Sequence, residues 1–376
     1  MAVTLDADTT FLRTLPGRYY HDSAIYAAEQ ERIFSRLWIC VGRAEELPEP
    51  GMYRTFDLAN ENVLLLRGRD HTLRAFLNVC RHRGARLCTE QHGQARNAIQ
   101  CPYHAWTYAL DGTLLGAPNI MEMEQFDRSS HGLMPVALDT WAGLVWVNLA
   151  DDPPPLASQT RAAVLDRFGE EDTFARYHLE DLRVAKTIEY TVHSNWKLTV
   201  ENFMECYHCG PMHPELCDLL PGFRRGSAYQ SGIGTEFAEG IEGFTFSGKA
   251  SRPSLPDLPP ADRRRYYGVV PLPNVFISLL PDHAIIHTLW PQGPDATRIV
   301  CDWAFHPDAI AAPGFDPMDV VAVFDLVNRQ DWAVCELAQQ GVRSKVYADG
   351  GIFVPSERHI RRFNDFVLGE LEGAGG

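Results

Sequence analysis

Two short stretches stand out by residue type and spacing: Cys80-Arg81-His82 and, about twenty residues further on, Cys101-Pro102-Tyr103-His104. Each offers one thiolate and one imidazole. Zinc fingers usually group like ligands, a cysteine pair in one place and a histidine pair in another. One Cys and one His per loop instead suit a 2Fe–2S cluster in which both cysteines hold one iron and both histidines hold the other. Neutral imidazoles in place of two thiolates raise the reduction potential well above that of an all-cysteine cluster. Such a group accepts an electron from a flavin or ferredoxin donor and passes it on. A zinc site or a set of core residues is the plainer alternative, and the paired spacing with flanking Gly84 and Trp106 weighs against it. Cys88 falls between the loops but outside the pattern, and reads as a small packed thiol.

A second constellation runs from Asn195-Trp196-Lys197 through Glu201-Asn202-Phe203-Met204-Glu205-Cys206-Tyr207-His208 to His213. On an ideal helix, residues five apart diverge by about 140° and cannot share a metal. Gly210 and Pro211 should end or distort the helix just past His208. His208 then occupies the last turn of a helix from about Asn195 to Tyr207, and His213 folds back from beyond it. Two imidazoles and one carboxylate make the facial triad that leaves open positions on a mononuclear Fe(II). Asp331, within Asn328-Arg329-Gln330-Asp331-Trp332, is the first candidate for the carboxylate. Glu336 is the second, and Asp325 reads as a solvated or capping residue. Glu205, three residues before His208, shares its face if the helix persists; a surface carboxylate is the plainer reading. His21, His71, His92, His131, His178 and His193 receive no role.

The stretches CRHRGARLC and CPYHAW closely resemble the Rieske domain of ring-hydroxylating and related non-haem iron oxygenases, with Ala105 where many relatives have Gly. The resemblance covers nearly the whole chain, from LPGRYYHD at Leu15 to PSERHIRRF at Pro355. It implies Cys80, His82, Cys101 and His104 as cluster ligands, and His208, His213 and Asp331 as ligands of mononuclear iron. It also implies Glu205 as an acidic bridge between His208 and a cluster histidine of a neighbouring subunit, in a ring-shaped homotrimer. Glu205 and Asn202 are the candidate catalytic residues beside the ligands. Glu at that position, with Tyr207-His208-Cys209, looks most like the choline, glycine betaine and carnitine monooxygenase branch. The implied reaction uses O₂ and electrons from NAD(P)H, delivered by a separate flavin or ferredoxin-type reductase. It hydroxylates a small substrate, and on an N-methyl carbon the product collapses to formaldehyde and a demethylated amine. An aromatic-ring hydroxylating dioxygenase alpha subunit is the alternative within this class. A pure electron-transfer Rieske protein would need no second metal. A binding module of the same shape would consume no oxygen.

The elements that must position these residues can be read from the pattern. The Tyr26–Leu37 stretch has helical spacing. Short strands follow at Trp38–Gly42, Gly51–Leu58, Asn62–Arg67 and Leu73–Val79, then a hairpin about Asp111-Gly112 and a buried strand at Trp141–Leu149. Asp152-Pro153-Pro154-Pro155 marks a boundary. Beyond it come a helix near Gln159–Phe168, a strand at Val184–Val192, and strands through Ile233–Phe246, Tyr267–Leu280, His283–Trp290 and Arg298–Phe305. A helix from Met318 to about Gly341 closes the pattern. The expected fold is α+β, an antiparallel β Rieske domain and a helix-grip catalytic domain of antiparallel sheet around a long helix. The expected divisions are 1–37 as a helical segment packing on the catalytic domain, 38–152 as the Rieske domain and 153–376 as the catalytic domain. The Pro-rich stretch Ser251–Arg265 reads as a solvated excursion or, alternatively, a flap over a pocket. Phe203, Tyr207, Phe276 and Trp303 are candidates for a cation cage, or for core.

The bulk numbers agree with this. The chain has 376 residues and 45% hydrophobic composition, enough for two cores. Its net charge of −15 argues against a general nucleic-acid binder. Nine cysteines, an odd count, do not suggest a disulfide framework. No apolar run approaches the ~20 residues of a membrane span, and the polar Met1–Thr10 stretch is unlike a signal peptide; the expected location is the cytoplasm. Arg81, Arg83 and Arg86 crowd the first cluster loop, as packing residues or as a docking patch for an acidic reductase.

Overall fold

Short apolar runs punctuated by turn residues form antiparallel sheets in the computed structural model, which describes residues 12–120, 123, 125–224, 226 and 234–373. The chain divides into two units: Gln30–Ser158, and residues up to Glu29 together with Gln159 onward.

Among the described residues the first unit holds ten strands: β1 (Ile39–Arg43), β2 (Met52–Leu58), β3 (Glu61–Arg67), β4 (Leu73–Leu77), β5 (His92–Gln94), β6 (Ala98–Gln100), β7 (Thr107–Ala109), β8 (Leu114–Gly116), β9 (Pro135–Trp141) and β10 (Leu144–Asn148). Seven form a sheet in the order β1-β10-β9-β4-β3-β2-β5, and β6-β7-β8 form a small second sheet. The buried strand expected over Trp141–Leu149 forms over Leu144–Asn148, and its first residues are instead a hairpin corner. Trp141 ends β9, Leu144 opens β10 opposite it, and Ala142 and Gly143 both have positive φ, 55° and 73°. That is the backbone a two-residue turn needs to match the strand twist. The Asp111-Gly112 turn joins β7 to β8 as expected.

The second unit is built on a six-stranded antiparallel sheet in the order β11-β16-β15-β14-β13-β12. Its strands are β11 (Arg183–Val192), β12 (Thr235–Glu236), β13 (Arg265–Val269), β14 (Val275–Leu279), β15 (His283–Gly293) and β16 (Ala296–Phe305). His283 to Trp290 are all buried, so β15 is covered on both faces. The long helix Met318–Gly341 buries Val320, Phe324, Val327, Trp332, Cys335 and Gln339, the period of a helix facing a core. Asp331 falls on this stripe. The helix Arg358–Glu372 is a further element that the sequence pattern did not bring out.

Other expected elements differ as well. The N-terminal helix is α only over Ser23–Glu29 and passes into a π turn over Gln30–Phe34. Glu29 is wholly buried, where Lys197 and Trp196 Nε1 both donate to its carboxylate. Removing one member of a buried pair of this kind costs roughly 3–5 kcal/mol. Of the Ile233–Phe246 strand only Thr235–Glu236 forms, Ile233 lying outside the described residues. Finally, Ser251–Arg265 runs along the surface, with about half its residues exposed, but it is pinned down rather than free, and none of its residues lines the histidine cavity. Leu255 and Leu258 are buried, and Arg252 binds Asp282 and Asp319 while stacking on Phe305.

Candidate metal centres and active site

The two cluster loops share one backbone plan. Cys80 N–H donates to Ala85 and Gly84 N–H to Cys80, while Cys101 N–H donates to Trp106 and Ala105 N–H to Cys101. Each turn needs left-handed backbone four residues after its cysteine: Gly84 has φ +71° and Ala105 has φ +56°. The plan turns both cysteines inward, 2% and 3% exposed, and sends the histidines outward. The rings of His82 and His104 lie 4.6 Å apart, and His82 stacks on Trp106 at 5.0 Å. The Tyr108 hydroxyl sits 3.4 Å from Cys80 Sγ and accepts from Arg81 N–H. Among the described residues, His104 Nδ1 is buried without a hydrogen-bond partner. A buried imidazole nitrogen without a hydrogen-bond partner, beside two inward thiols, has the chemistry of a metal donor. The donor set therefore fits a 2Fe–2S cluster. His82 is exposed, which opens this edge to an electron donor. Cys88 is a packed thiol, as expected, pushed up to about 11 by burial.

The second centre is assembled from three segments. Asn195 caps the helix Trp196–Phe203 by accepting from Lys197 N–H. This helix stops at Phe203, not Tyr207. His208 is therefore not in its last turn but caps the start of a short helix, Cys209–Met212. Gly210 and Pro211 lie inside that helix. Pro is tolerated because the first-turn N–H groups have no intrahelical acceptor. His213 ends this turn and precedes the helix Pro214–Leu219, opened by Pro214.

Glu205 then meets His208 through a turn rather than along a helix face. Its carboxylate accepts from the backbone N–H of Tyr207 and of His208 and contacts His208 Nδ1. His213 Nδ1 lies 2.7 Å from Gln330 Oε1. A carboxylate and an amide oxygen only accept, so each ring presents Nδ1–H to its holder and leaves the Nε2 lone pair free. Both lone pairs converge on one oxygen of Asp331, at 3.2 Å from His208 and 2.9 Å from His213. Two oriented imidazoles and a carboxylate, on separate elements and facing a cavity, fit a divalent iron. Without a cation the trio shares protons. Burial opposes charge on His208, yet Asp331 and Glu205 hold its pKa up to about 10. Burial likewise works against the Asp331 carboxylate, and the two histidines outweigh it and lower its pKa.

Glu336, the second candidate carboxylate, is elsewhere: it accepts from the backbone N–H of His193. Asp325 accepts from Tyr190 and Arg329. Asn202 Nδ2 lies 3.5 Å from His208 Nε2. The cavity beside the trio, of about 400 Å³, is lined by Phe203, Phe223, Tyr266 and Phe324 as well as His208, His213 and Asp331. Only Phe203 of the four expected cage residues is among them. Phe276 stacks on Phe203 at 4.3 Å and Trp303 is fully buried, while Tyr207 is 62% exposed. Cys209 and Gln330 were not singled out from the sequence, although each directly adjoins a predicted ligand.

Fold and sites together define an oxidoreductase with two iron centres. Residues 37–127 match the Rieske [2Fe-2S] domain, and residues 179–373 match the ring hydroxylating alpha subunit (catalytic domain). The glycine betaine monooxygenase oxygenase subunit of Chromohalobacter salexigens is 34% identical, over 93% of this chain and 85% of that protein. The carnitine monooxygenase oxygenase subunit of Escherichia coli is 40% identical over 55% of this chain and 54% of its own. A crystal structure of a quaternary ammonium Rieske monooxygenase with L-carnitine superposes with a TM-score of 0.74 at 28% identity, covering 97% of both chains. Naphthalene 1,2-dioxygenase from a Rhodococcus shares the fold, with a TM-score of 0.75 at 19% identity. The chain belongs to the Rieske-type ring-hydroxylating oxygenase family, as its catalytic alpha subunit. It is a non-haem iron oxygenase whose cofactors are a 2Fe–2S Rieske cluster and a mononuclear iron.

Proposed function

We propose that the enzyme hydroxylates a C–H bond of a quaternary ammonium compound or related amine, an N-methyl group first among them. The observation that carries this reading is the cavity at the histidine–aspartate trio. Four aromatic rings, Phe203, Phe223, Tyr266 and Phe324, line it with the carboxylates of Glu205 and Asp331. Aromatic faces attract a cation without hydrogen bonds, which is what an ammonium bearing only methyl groups requires. The names of the relatives point the same way.

In this reading Cys80, His82, Cys101 and His104 hold the cluster, and His208, His213 and Asp331 hold the iron. The bound groups supply single electrons and oxygen activation. The chain's own part is positional. Gln330 and Glu205 fix the tautomers of the two histidines, and Asn202 aims its amide at the same face. The rings exclude water and place the methyl group. Hydroxylation there yields a hemiaminal, which breaks its C–N bond to release formaldehyde and the demethylated amine.

Glu205 also serves as the link toward a cluster histidine in a neighbouring copy of the chain. Each centre is flanked by an exposed tyrosine, Tyr103 at 56% and Tyr207 at 62%, surfaces that a homotrimer would cover. The exposed Arg81, Arg83 and Arg86 form the docking face for an acidic reductase carrying electrons from NAD(P)H. The test is a panel of quaternary amines, tertiary amines and aromatic acids with reductase supplied, scored by substrate-dependent oxygen uptake and formaldehyde. Oxygen uptake and formaldehyde release with methylated ammonium compounds are expected. Turnover of aromatic acids alone, to ring diols, would establish the dioxygenase alternative instead.

A further inference from the structure

Two donor sets share the same pair of imidazoles. His208, His213 and Asp331 make one of them. The other is His208, Cys209 and His213, whose ligand atoms all lie within 4.8 Å of one another. Cys209 Sγ is 3.7 Å from His208 Nε2. Zinc bonds of about 2.05 Å to nitrogen and about 2.3 Å to sulfur, at a tetrahedral angle, set those two atoms about 3.6 Å apart. The thiol is therefore already at ligand spacing from His208. Cys209 is 3% exposed and lines the cavity. It directly follows His208 in the same turn, so one backbone segment places both donors.

We propose that Cys209 makes this centre a second, thiolate-containing site that takes Zn²⁺ in competition with Fe²⁺. The proposal rests on His208 and His213 being metal ligands, as read above. At sites of nitrogen and sulfur donors Zn²⁺ binds more tightly than Fe²⁺, and a thiolate widens that preference. The nitrogen–oxygen trio leaves positions open on iron. A thiolate fills one of them, which moves the site toward the closed coordination of structural zinc. As the zinc–sulfur bond forms, the thiol proton leaves to solvent, and nothing is oxidised or reduced. The consequence is a specific inhibitory metal: zinc bound there occupies both histidines and keeps iron out.

The experiment uses cluster-loaded enzyme from which the mononuclear iron has been removed, given one equivalent of Zn²⁺. X-ray absorption at the zinc edge sees only that ion, and intact visible absorbance shows that the cluster site has not exchanged. The expected result is one sulfur at about 2.3 Å among nitrogen and oxygen neighbours. In Cys209→Ser the sulfur should vanish, and the zinc needed to displace bound Fe²⁺ should rise at least about tenfold. Cys209→Ala serves equally if the serine variant loses its cluster. A shell of nitrogen and oxygen alone in the wild type, with one zinc bound, overturns the proposal. So does a sulfur that persists in both variants, because another cysteine would then be the ligand. If neither Fe²⁺ nor Zn²⁺ binds at one per cluster-loaded chain, the histidine pair is not a metal site and the underlying reading fails with it.

Discussion

At the scale of single residues, the decisive contact is the one oxygen of Asp331 that lies within 3.2 Å of both His208 Nε2 and His213 Nε2. Outer-shell partners of metal-bound histidines alone are worth roughly 10–100-fold in affinity, so losing the proposed ligand itself should cost more. Asp331→Ala is expected to lose mononuclear iron and turnover while the cluster spectrum stays intact. Glu336→Ala, which removes only an acceptor for the His193 N–H, is expected to keep its iron. Metal analysis of the two variants side by side decides it; iron retained by Asp331→Ala and lost from Glu336→Ala would reverse the assignment. Ala105 offers a test of the other centre. A non-glycine residue in the left-handed region costs roughly 1–2 kcal/mol, partly offset by the extra freedom glycine loses on folding. Ala105→Gly should therefore stabilise the Rieske unit by about 0.5–1 kcal/mol, seen as slower loss of cluster absorbance on heating. Equal or faster loss would mean the turn bears no strain at that position.

Among the elements, the helix Trp196–Phe203 carries two ionisable groups surrounded by protein. Its Lys197 is paired with Glu29, and its Glu201 accepts from the Tyr20 hydroxyl at 2.8 Å. Part of the Glu201 side chain touches solvent, but protein surrounds the carboxylate. Burial pushes its pKa up to about 8, with Glu357 adding to the effect and Tyr20 and Lys197 opposing it. The folded state thus keeps a proton that the unfolded chain gives up near pH 4.5. That contribution to stability is whole below about pH 4.5 and drains away as pH rises to about 8. Glu201→Gln removes the titration. The wild type minus variant difference in unfolding free energy should fall between pH 5 and 8, with the slope of one proton, and level off above 8. A flat difference would show that Glu201 is ionised in the folded protein at neutral pH.

On the scale of the whole molecule, the proposed link through Glu205 makes the assembly itself a catalytic requirement. Glu205→Ala should leave both metals bound and the cluster reducible, yet block its reoxidation in the presence of substrate and O₂. His104→Ala should lose the cluster and keep the catalytic iron. Neither variant alone should turn over. Co-assembled, the two chains are expected to regain part of the activity, because some interfaces then pair an intact cluster with an intact carboxylate. Well-formed mixed oligomers without recovery would place the electron path inside one chain. Exposed Tyr207, next to His208, should also become protected from chemical modification on assembly.

Candidate donor types and their local order were legible in the sequence, because metals constrain donors that lie close along the chain. Paired Cys and His spacing pointed to Cys80, His82, Cys101 and His104 as cluster donors, whereas the five-residue separation of His208 and His213 made a pair only once Gly210 and Pro211 were read as breaking the helix. Asp331 stood first among the carboxylates on its setting in Asn328-Arg329-Gln330-Asp331-Trp332 and on the resemblance, ahead of Glu336 and of Asp325, which read as solvated or capping. Tertiary structure separated them, since which turn of a helix faces a site depends on what packs against it. The same holds for the cavity rings. Phe203, Phe223, Tyr266 and Phe324 come from four separate elements, so no spacing could have grouped them, and three of the four expected cage residues line no part of it. The end of the helix at Phe203 was missed for a related reason. Glu205 folds its carboxylate back onto the N–H groups of Tyr207 and His208, a competition between side chain and helix that local propensity does not reveal. Sequence determined which chemistry the chain carries, because that depends on residue identity at short range. Only the fold decided which carboxylate, which rings and which thiol surround the histidine pair, because those neighbours are brought together by packing over long range.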